Sequence, residues 1–228
     1  MAKSAAISKP ARRNPQKSGS LTDKAYSKLE ELIVTLQLEP GEVLSEVALS
    51  KELEIGRTPI REALQRLARE GLITILPRKG VLVSDINPRK QLLLLEVRRE
   101  LERLIAKSAA QRCTPEERTA FAAIADGIDK ASRQNDDIAF MRYDDELNKL
   151  MARAAHNEYA NRAIGLMHGL SRRFWYMHYR DAADLPLSAR LHAQLARAIA
   201  GGNSNAAAKA SDKLMDYVET FTKATVNA

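Results

Sequence analysis

The order of elements predicted for residues 21–84 is the feature that most restricts the fold of this chain. Apolar side chains first recur at helical spacing, and a Pro40-Gly41 pair then breaks the chain. The predicted elements are a helix from Leu21 with Thr22 as its cap, a short helix capped by Ser45, a helix from about Thr58 to Gly71, and strands at 72–76 and 81–84. Three helices followed by a hairpin are typical of a winged helix-turn-helix.

The chain changes character at Asn87-Pro88, because every later segment has helical periodicity. Thr114-Pro115 is a strong helix start, since a capping side chain is followed by a proline at the first helical position. The predicted helices span about 89–112, 115–133, 136–155, 158–181, 187–200 and 204–225. Short connections between such helices favour an antiparallel bundle.

The expected fold class is therefore mainly α. An N-terminal winged helix-turn-helix of three helices plus a β-hairpin is followed by an antiparallel all-α bundle of about six helices. We expect a DNA-binding domain at residues 21–85 and a helical domain at residues 89–226. Residues 1–20 are rich in Lys, Arg, Ser, Ala and Pro without periodic apolar residues, which predicts a disordered basic tail.

The composition limits the partners and the compartment. The net charge of the 228-residue chain is +7, which favours acidic partners such as nucleic acid. The single cysteine, Cys113, cannot form an intramolecular disulfide and is typical of a reducing compartment. The apolar run from Leu92 to Leu95 is too short to cross a bilayer, and no signal peptide is evident. We therefore expect a cytoplasmic protein that does not contact a membrane.

Basic side chains are concentrated on the third predicted helix and on the turn of the hairpin. Arg57 and Arg61 share a helix face, from which arginine can pair with guanine or with phosphate. Taken alone, two arginines at this spacing favour an ordinary solvated helix face, and the order of the surrounding elements is what favours DNA. The predicted contacts to double-stranded DNA are Arg57, Thr58, Arg61, Arg78, Lys79 and Gly80.

Four polar residues of the predicted bundle lie among apolar neighbours. Asp144 and Asn148 share one face of a helix, while Arg98 and His192 lie beside leucines on two other helices. Polar groups that point into a bundle can bind a small ligand. A surface aspartate, a capping asparagine, a satisfied core histidine and a solvated arginine are the corresponding structural interpretations. The residues alone leave both interpretations open.

Three segments resemble the DNA-binding domain of the GntR family: 38–46 (LEPGEVLSE), 56–67 (GRTPIREALQRL) and 70–73 (EGLI). The resemblance covers about residues 21–84 and implies that Arg57, Thr58, Arg61 and Gly80 contact DNA. Two positions depart from the family pattern. Val47 stands where many members have an arginine that reaches the DNA, and Gly56 stands where serine or threonine is frequent. These departures imply a lower affinity or a different operator sequence.

The second half of the chain is similar to the FadR-type effector domain (FCD) of GntR regulators. The similarity extends over about residues 89–225 and is carried by segments 96–102 (EVRRELE), 144–148 (DDELN), 154–157 (AAHN) and 191–195 (LHAQL). It implies an effector site at Arg98, Asp144, Asn148 and His192, with Arg98 able to pair with a ligand carboxylate. Small organic acids or sugar acids are the effectors that the resemblance implies.

Members of this group that bind a metal carry Asp-x3-His on one helix and one histidine on each of two later helices. Asp144 and His192 match two of these positions, whereas Asn148 and, by spacing, Leu214 replace the other two ligands. One aspartate and one histidine make a poor Zn²⁺ site, because such sites need three or four protein ligands. We therefore expect no metal and no other cofactor.

Two alternative functions differ in class from a ligand-controlled regulator. A metal-dependent enzyme is disfavoured, because the chain has no nucleophile motif, metal-ligand spacing or phosphate-binding glycine loop. A ligand-independent architectural DNA-binding protein would share the first domain but would not need a polar bundle interior. The sequence favours a DNA-binding transcription regulator, a repressor, that responds to a small-molecule effector. Since helix-turn-helix proteins usually read two half-sites, we expect a homodimer.

Overall fold

The computed structural model describes residues 20–182 and 184–226, except for the side chains of residues 180–182. The predicted disordered tail at residues 1–20 lies outside the described residues apart from Ser20. The N-terminal part contains α1 (Leu21–Val34), β1 (Val43–Leu44), α2 (Glu46–Glu52), α3 (Arg57–Arg69), β2 (Ile73–Leu76) and β3 (Gly80–Val83). The C-terminal bundle contains α4 (Pro88–Arg112), α5 (Pro115–Arg133), α6 (Asp137–Ala154), α7 (Glu158–Ala182), α8 (Leu185–Ala200) and α9 (Ser204–Val226). This architecture confirms the predicted fold class.

The N-terminal part is built on the packing of α1 against α3. The cap of α1 is Ser20 and not Thr22, so that prediction was wrong. Ser20 and Asp23 form a capping box, while the Thr22 hydroxyl donates to Glu62 Oε2 at 2.6 Å. The apolar spacing of α3 buries one face and leaves the opposite face to solvent. The buried residues of α3 are Ile60, Ala63, Leu64 and Leu67.

The sheet contains a strand, β1, that the apolar pattern does not predict. The strand order is β1-β3-β2, and β3 pairs antiparallel with both neighbours. At the start of β3, Gly80 has a φ of +103°, and a Cβ there would collide with the carbonyl oxygen of Leu44 in β1. Glycine is therefore required at this position by the pairing of β1 with β3.

The bundle is organised around α4, which packs along α9 and also contacts α6, α7 and α8, while α5 packs on α8. Helix starts follow the sequence signals: Thr114 and Glu117 form a capping box at α5, and Asn87 caps α4 before Pro88. None of the helices in the described part combines the length and apolar content that a membrane span requires. The large core side chains are Ile105, Phe121, Ile128, Phe140, Leu147 and Met151.

Helix α7 joins the bundle to the N-terminal part. Leu170 packs against the N-terminal core. The buried Arg173 donates from Nη1 to the carbonyl oxygens of Ser84 at 2.8 Å and Leu72 at 3.4 Å, and from Nη2 to that of Asp85 at 3.4 Å. Burial lowers the pKa of Arg173 to about 10, so the side chain remains a cation at neutral pH. These contacts attach α7 to the residue before β2 and to the segment that follows β3.

Candidate DNA interface and effector cavity

The exposed face of α3 carries the side chains predicted to contact DNA. Arg57 and Thr58 lie in its first turn, and Arg61 lies one turn later on the face of Arg57. Gly56 is the N-cap, and within the described residues no side chain caps the first-turn amides. The start of α3 therefore presents backbone N–H donors and cations together, which suits phosphate.

Arg61 has a partner in the protein itself. Its Nη2 and Nε donate to Glu46 Oε2 of α2 at 3.0 and 3.2 Å, and this hydrogen bond raises the pKa of Arg61. An ion pair exposed to this degree contributes little stability, so a phosphate or a guanine can replace Glu46. Val47, the next residue of α2, is exposed. Because valine stands here in place of the arginine that many family members have, the surface of α2 lacks that cation.

The turn between β2 and β3 holds the remaining predicted contacts. Arg78, with a φ of +64°, and Lys79 are exposed at its tip, and the Lys79 N–H donates to the Leu76 carbonyl at 3.1 Å. The close approach of Gly80 to β1 is enough to explain why this residue is glycine, without any contact to DNA. A direct DNA contact at Gly80 stays a prediction.

The four polar residues predicted for the effector site line one cavity of about 50 Å³ inside the bundle. They come from α4, α6 and α8, and α7 and α9 complete the walls. The polar lining consists of Arg98, Asp144, Asn148 and His192 together with Gln91, His168, Ser171 and Arg172. The apolar lining consists of Phe140, Met141, Phe174, Trp175, Val218 and Phe221.

Asp144 is the centre of a hydrogen-bond network in this cavity. Its Oδ1 accepts from Asn148 Nδ2 at 3.0 Å and lies 3.1 Å from His192 Nε2, while His192 Nδ1 lies 2.7 Å from the Ser188 carbonyl oxygen. Burial alone would raise the pKa of Asp144, but the hydrogen bond and charge of His192, with smaller effects of Arg98 and Arg172, lower it. Asp144 is therefore a carboxylate, and an anionic ligand group has to bind away from it.

Arg98 already pairs with a buried carboxylate one turn along α4. Its Nε lies 3.0 Å from Glu102 Oε1, and the two side chains are 13% and 6% exposed. Burial alone would raise the pKa of Glu102, but the charge of Arg98 and the nearby His168 lower it to about 2. Arg98 thus stabilises the fold, and its remaining N–H donors are the ones that a ligand can use.

Four polar residues of the cavity, Gln91, His168, Ser171 and Arg172, are missing from the sequence prediction. Gln91 lies two turns before Arg98 on α4, and its Nε2 donates to Ser171 Oγ at 3.2 Å. Ser171 and Arg172 follow His168 by one turn of α7. Helical spacing from Arg98 was a signal for Gln91, whereas the position of α7 depends on tertiary packing that spacing does not reveal.

The residues present do not fit the metal centre described for other members of the group. Asn148 uses its amide to donate to Asp144, and the apolar Leu214 lines an adjoining cavity of about 20 Å³. Across residues 20–182 and 184–226, no three His, Cys, Asp or Glu side chains are grouped so that they can hold a metal ion. Asp144 and His192 satisfy each other instead, and two ligands are too few for Zn²⁺.

A winged helix-turn-helix with exposed arginines on α3, joined to a helical bundle with a polar cavity, defines the class of helix-turn-helix transcription regulators. Family models agree with both halves of this description. The chain belongs to the GntR family of bacterial regulatory proteins: the GntR model matches residues 21–83, and the model of the FCD domain matches residues 93–217. Both resemblances noted in the sequence are thereby confirmed.

Similar proteins support the same family. An uncharacterised HTH-type transcriptional regulator of Streptomyces ambofaciens is 44% identical over 63 residues, which are 28% of this chain and 27% of that protein. The HTH-type transcriptional repressor RspR of Escherichia coli is 33% identical over 94 residues, 41% of each chain. The chain thus matches less than half the length of either relative.

A solved structure resembles almost the whole chain. The structure of E. coli McbR/YncC superposes with a TM-score of 0.77 at 18% sequence identity, covering 92% of this chain and 100% of that one. At this identity the likeness shows the fold.

Proposed function

We propose that this protein is a transcription repressor that binds operator DNA as a homodimer and releases it when a small organic or sugar acid enters the bundle. The observation that carries this proposal is the convergence of Arg98, Asp144, Asn148 and His192 in one cavity. In this scheme residues 21–85 bind DNA, and residues 89–226 bind the effector and dimerise. The name of the E. coli relative, a repressor, supports the direction of control.

The charges around the cavity favour an anionic ligand. Asp144 is paired with His192 and Glu102 with Arg98, and Arg172 adds a further cation to the lining. The carboxylate of a bound ligand needs such a cation, because an unpaired charge is strongly disfavoured in an apolar cavity. A volume of about 50 Å³ has room for a compact acid group.

An apolar stripe on α4 supports the homodimer. Leu93, Val97 and Leu104 lie on one face of this helix and are 64%, 52% and 45% exposed. Leu93 and Val97 are neighbours on this face, and the exposed Glu100 separates them from Leu104. Exposed apolar side chains on one helix face mark interaction surfaces, and a two-fold dimer places the same stripe of both copies together.

Thermal shift and fluorescence anisotropy test the proposal together. We expect at least one acid of a panel containing lactate, gluconate and succinate to raise Tm and to weaken operator binding, because it stabilises the native bundle selectively. His192→Gln, whose amide keeps a hydrogen-bond donor for Asp144, should abolish both effects and still bind the operator. Arg98→Lys should have the same consequences. Lysine is used because Arg98→Ala would leave Glu102 without its partner. Arg103→Lys, on the outer face of α4, is the control.

Two results would contradict the proposal. Operator binding that no acid alters would favour a ligand-independent architectural protein. A chain that binds all DNA sequences equally would not be a sequence-specific regulator.

A further inference from the structure

We propose that Arg172 couples the effector cavity to the DNA-binding part: an anionic ligand takes the Arg172 guanidinium from Glu30 and so loosens α1 from α7. This inference rests on the proposed function, because it takes the cavity as the effector site. It adds a ligand-binding residue from α7 and a route by which occupancy reaches the winged helix-turn-helix.

Arg172 lies in the wall between two spaces. On one side is the effector cavity, and on the other is an open cleft of about 360 Å³ that is lined by α1, α3, α6 and α7. Asn148, His168 and Arg172 line both spaces, whereas Glu30 and Asp145 line the cleft and not the cavity. A ligand that moves Arg172 therefore changes the contacts of α1.

The contacts of Arg172 on the cleft side are loose. Its Nη1 lies 3.3 Å from Asp145 Oδ1 and 3.5 Å from Glu30 Oε1. Charge-assisted hydrogen bonds of this type are usually about 2.7–2.9 Å long. Among the described residues, the buried Arg172 Nε has no hydrogen-bond partner. The guanidinium thus has an unused donor and weak partners, and a ligand carboxylate can offer better ones.

Glu30 is the residue of α1 that loses a cationic partner when Arg172 moves. It belongs to α1, and its side chain is 15% exposed. Burial raises the pKa of Glu30, and Asp145 and Glu70 reinforce this increase, whereas the charge of Arg172 and, to a smaller extent, that of Lys149 oppose it. Without Arg172, Glu30 would be a poorly solvated carboxylate near other acids. A shift of α1 that brings Glu30 to water relieves this cost.

The neighbouring Arg173 does not take part in this exchange. It donates to backbone carbonyls of the N-terminal part, and these cannot be displaced by a ligand in the effector cavity, which Arg173 does not line. Helix α7 thus keeps its contacts at Leu170 and Arg173, whereas its contact at Arg172 is exchangeable. This combination allows the N-terminal part to change orientation without separating from the bundle.

A double-mutant cycle tests the coupling without any ligand. Arg172→Gln and Glu30→Gln should each weaken operator binding about fivefold or more, a typical size of coupling between sites. The double variant should bind the operator no more weakly than the single variant with the larger loss, because both changes remove the same ion pair. Arg162→Gln on α7 and Glu31→Gln on α1 remove the same charges from exposed positions and should bind like the unmodified protein.

Circular dichroism melts exclude unfolding as the cause of weak binding. Single variants with unchanged affinity, or a double variant whose loss is the product of the two single losses, would overturn the proposal.

Lactate and gluconate test whether a ligand acts through Arg172 and Glu30. Lactamide is the uncharged control for lactate. For the acid that raises Tm of the unmodified protein, Glu30→Gln should keep the Tm increase but lose the response of operator affinity. Arg172→Gln should lose both, and a full response of Arg172→Gln would overturn the inference. If no acid raises Tm of the unmodified protein, the proposed effector class fails, while the mutant cycle still decides whether Arg172 and Glu30 are coupled.

Discussion

At the scale of single residues, stability and ligand binding meet in the buried pair of Arg98 and Glu102. Glu102→Gln leaves the Arg98 charge without its carboxylate, and breaking such a pair costs about 3–5 kcal/mol. We expect urea unfolding at pH 7 to show a decrease of this order in the free energy of unfolding. Glu100→Gln, at an exposed position of the same helix, should be close to neutral.

The effect of Glu102→Gln on the free energy of unfolding should depend on pH in a defined direction. The pKa of Glu102 falls from its ordinary value of 4.5 to about 2 in the folded protein. Its contribution is therefore present above the unfolded pKa and is lost as pH falls from about 4.5 through about 2. Stability at pH 3 should differ less between the unmodified protein and Glu102→Gln than at pH 7. Equal differences at both pH values would show that the carboxylate charge does not matter.

The arginines of α3 give a prediction about DNA specificity. Arg57→Ala and Arg61→Ala should each cost about 1–3 kcal/mol of operator binding if they contact bases, with reduced discrimination between sequences. Arg69→Ala is the control, because Arg69 lines a cleft with Asn161 and Arg162 of the bundle. Anisotropy titrations at fixed salt measure the effect, and full affinity of both α3 variants would remove these residues from the interface.

Metal content follows from the two replaced ligands. We expect elemental analysis of the purified protein to find well under one equivalent of zinc, since Asn148 and Leu214 cannot replace histidine ligands. The double variant Asn148→His/Leu214→His restores the ligand types of metal-binding members and should retain more zinc after dialysis. A stoichiometric metal in the unmodified protein would contradict our interpretation of these two positions.

At the scale of elements, the start of β3 depends on the absence of a side chain. Gly80→Ala adds a Cβ that meets the Leu44 carbonyl and places alanine at a positive φ, which costs about 1–3 kcal/mol or more. Gly165→Ala in α7 is the matched control, because its Cβ would meet nothing and alanine favours helix. Thermal unfolding should show a lower Tm for Gly80→Ala and an equal or higher Tm for Gly165→Ala.

Most helices were predictable from local signals, and β1 was not. Thr114 and Pro115 determine a helix start through interactions within one turn, which a sequence pattern contains. Strand β1 has two residues and exists through its pairing with β3, about forty residues later, so its own sequence carries little signal. The cap of α1 was misassigned because Ser20 depends on Asp23 for its capping box, and Thr22 bonds to α3 instead.

The candidate site divides in the same way. Asp144 and Asn148 share a helix face, and the family resemblance placed His192 and Arg98 beside them. The pair of Arg172 with Glu30 joins residues far apart in the chain, and neither has a neighbour in sequence that indicates the other. Contacts of this kind are determined by how α1 packs on α7, which no local pattern specifies.

At the scale of the whole molecule, the apolar stripe of α4 predicts how the dimer can be dissociated. Val97→Glu places a charge in the centre of the stripe, and burying it without a partner is unfavourable. Light scattering at micromolar concentration should change from the dimer mass to the monomer mass. Ile138→Glu, at an exposed apolar position of α6, should remain a dimer. A dimer that survives Val97→Glu would require a different interface.

Arg173 has a consequence for how such regulators can be recombined. It recognises main-chain oxygens of residues 72, 84 and 85, and every amino acid supplies the same carbonyl group. A winged helix grafted from another regulator onto this bundle would therefore satisfy Arg173 whatever its side chains. The Arg172–Glu30 contact requires a particular carboxylate, which the graft would have to carry. Chimaeras should consequently assemble readily, and those without an acid at position 30 should bind their operators more weakly and without responding to the effector.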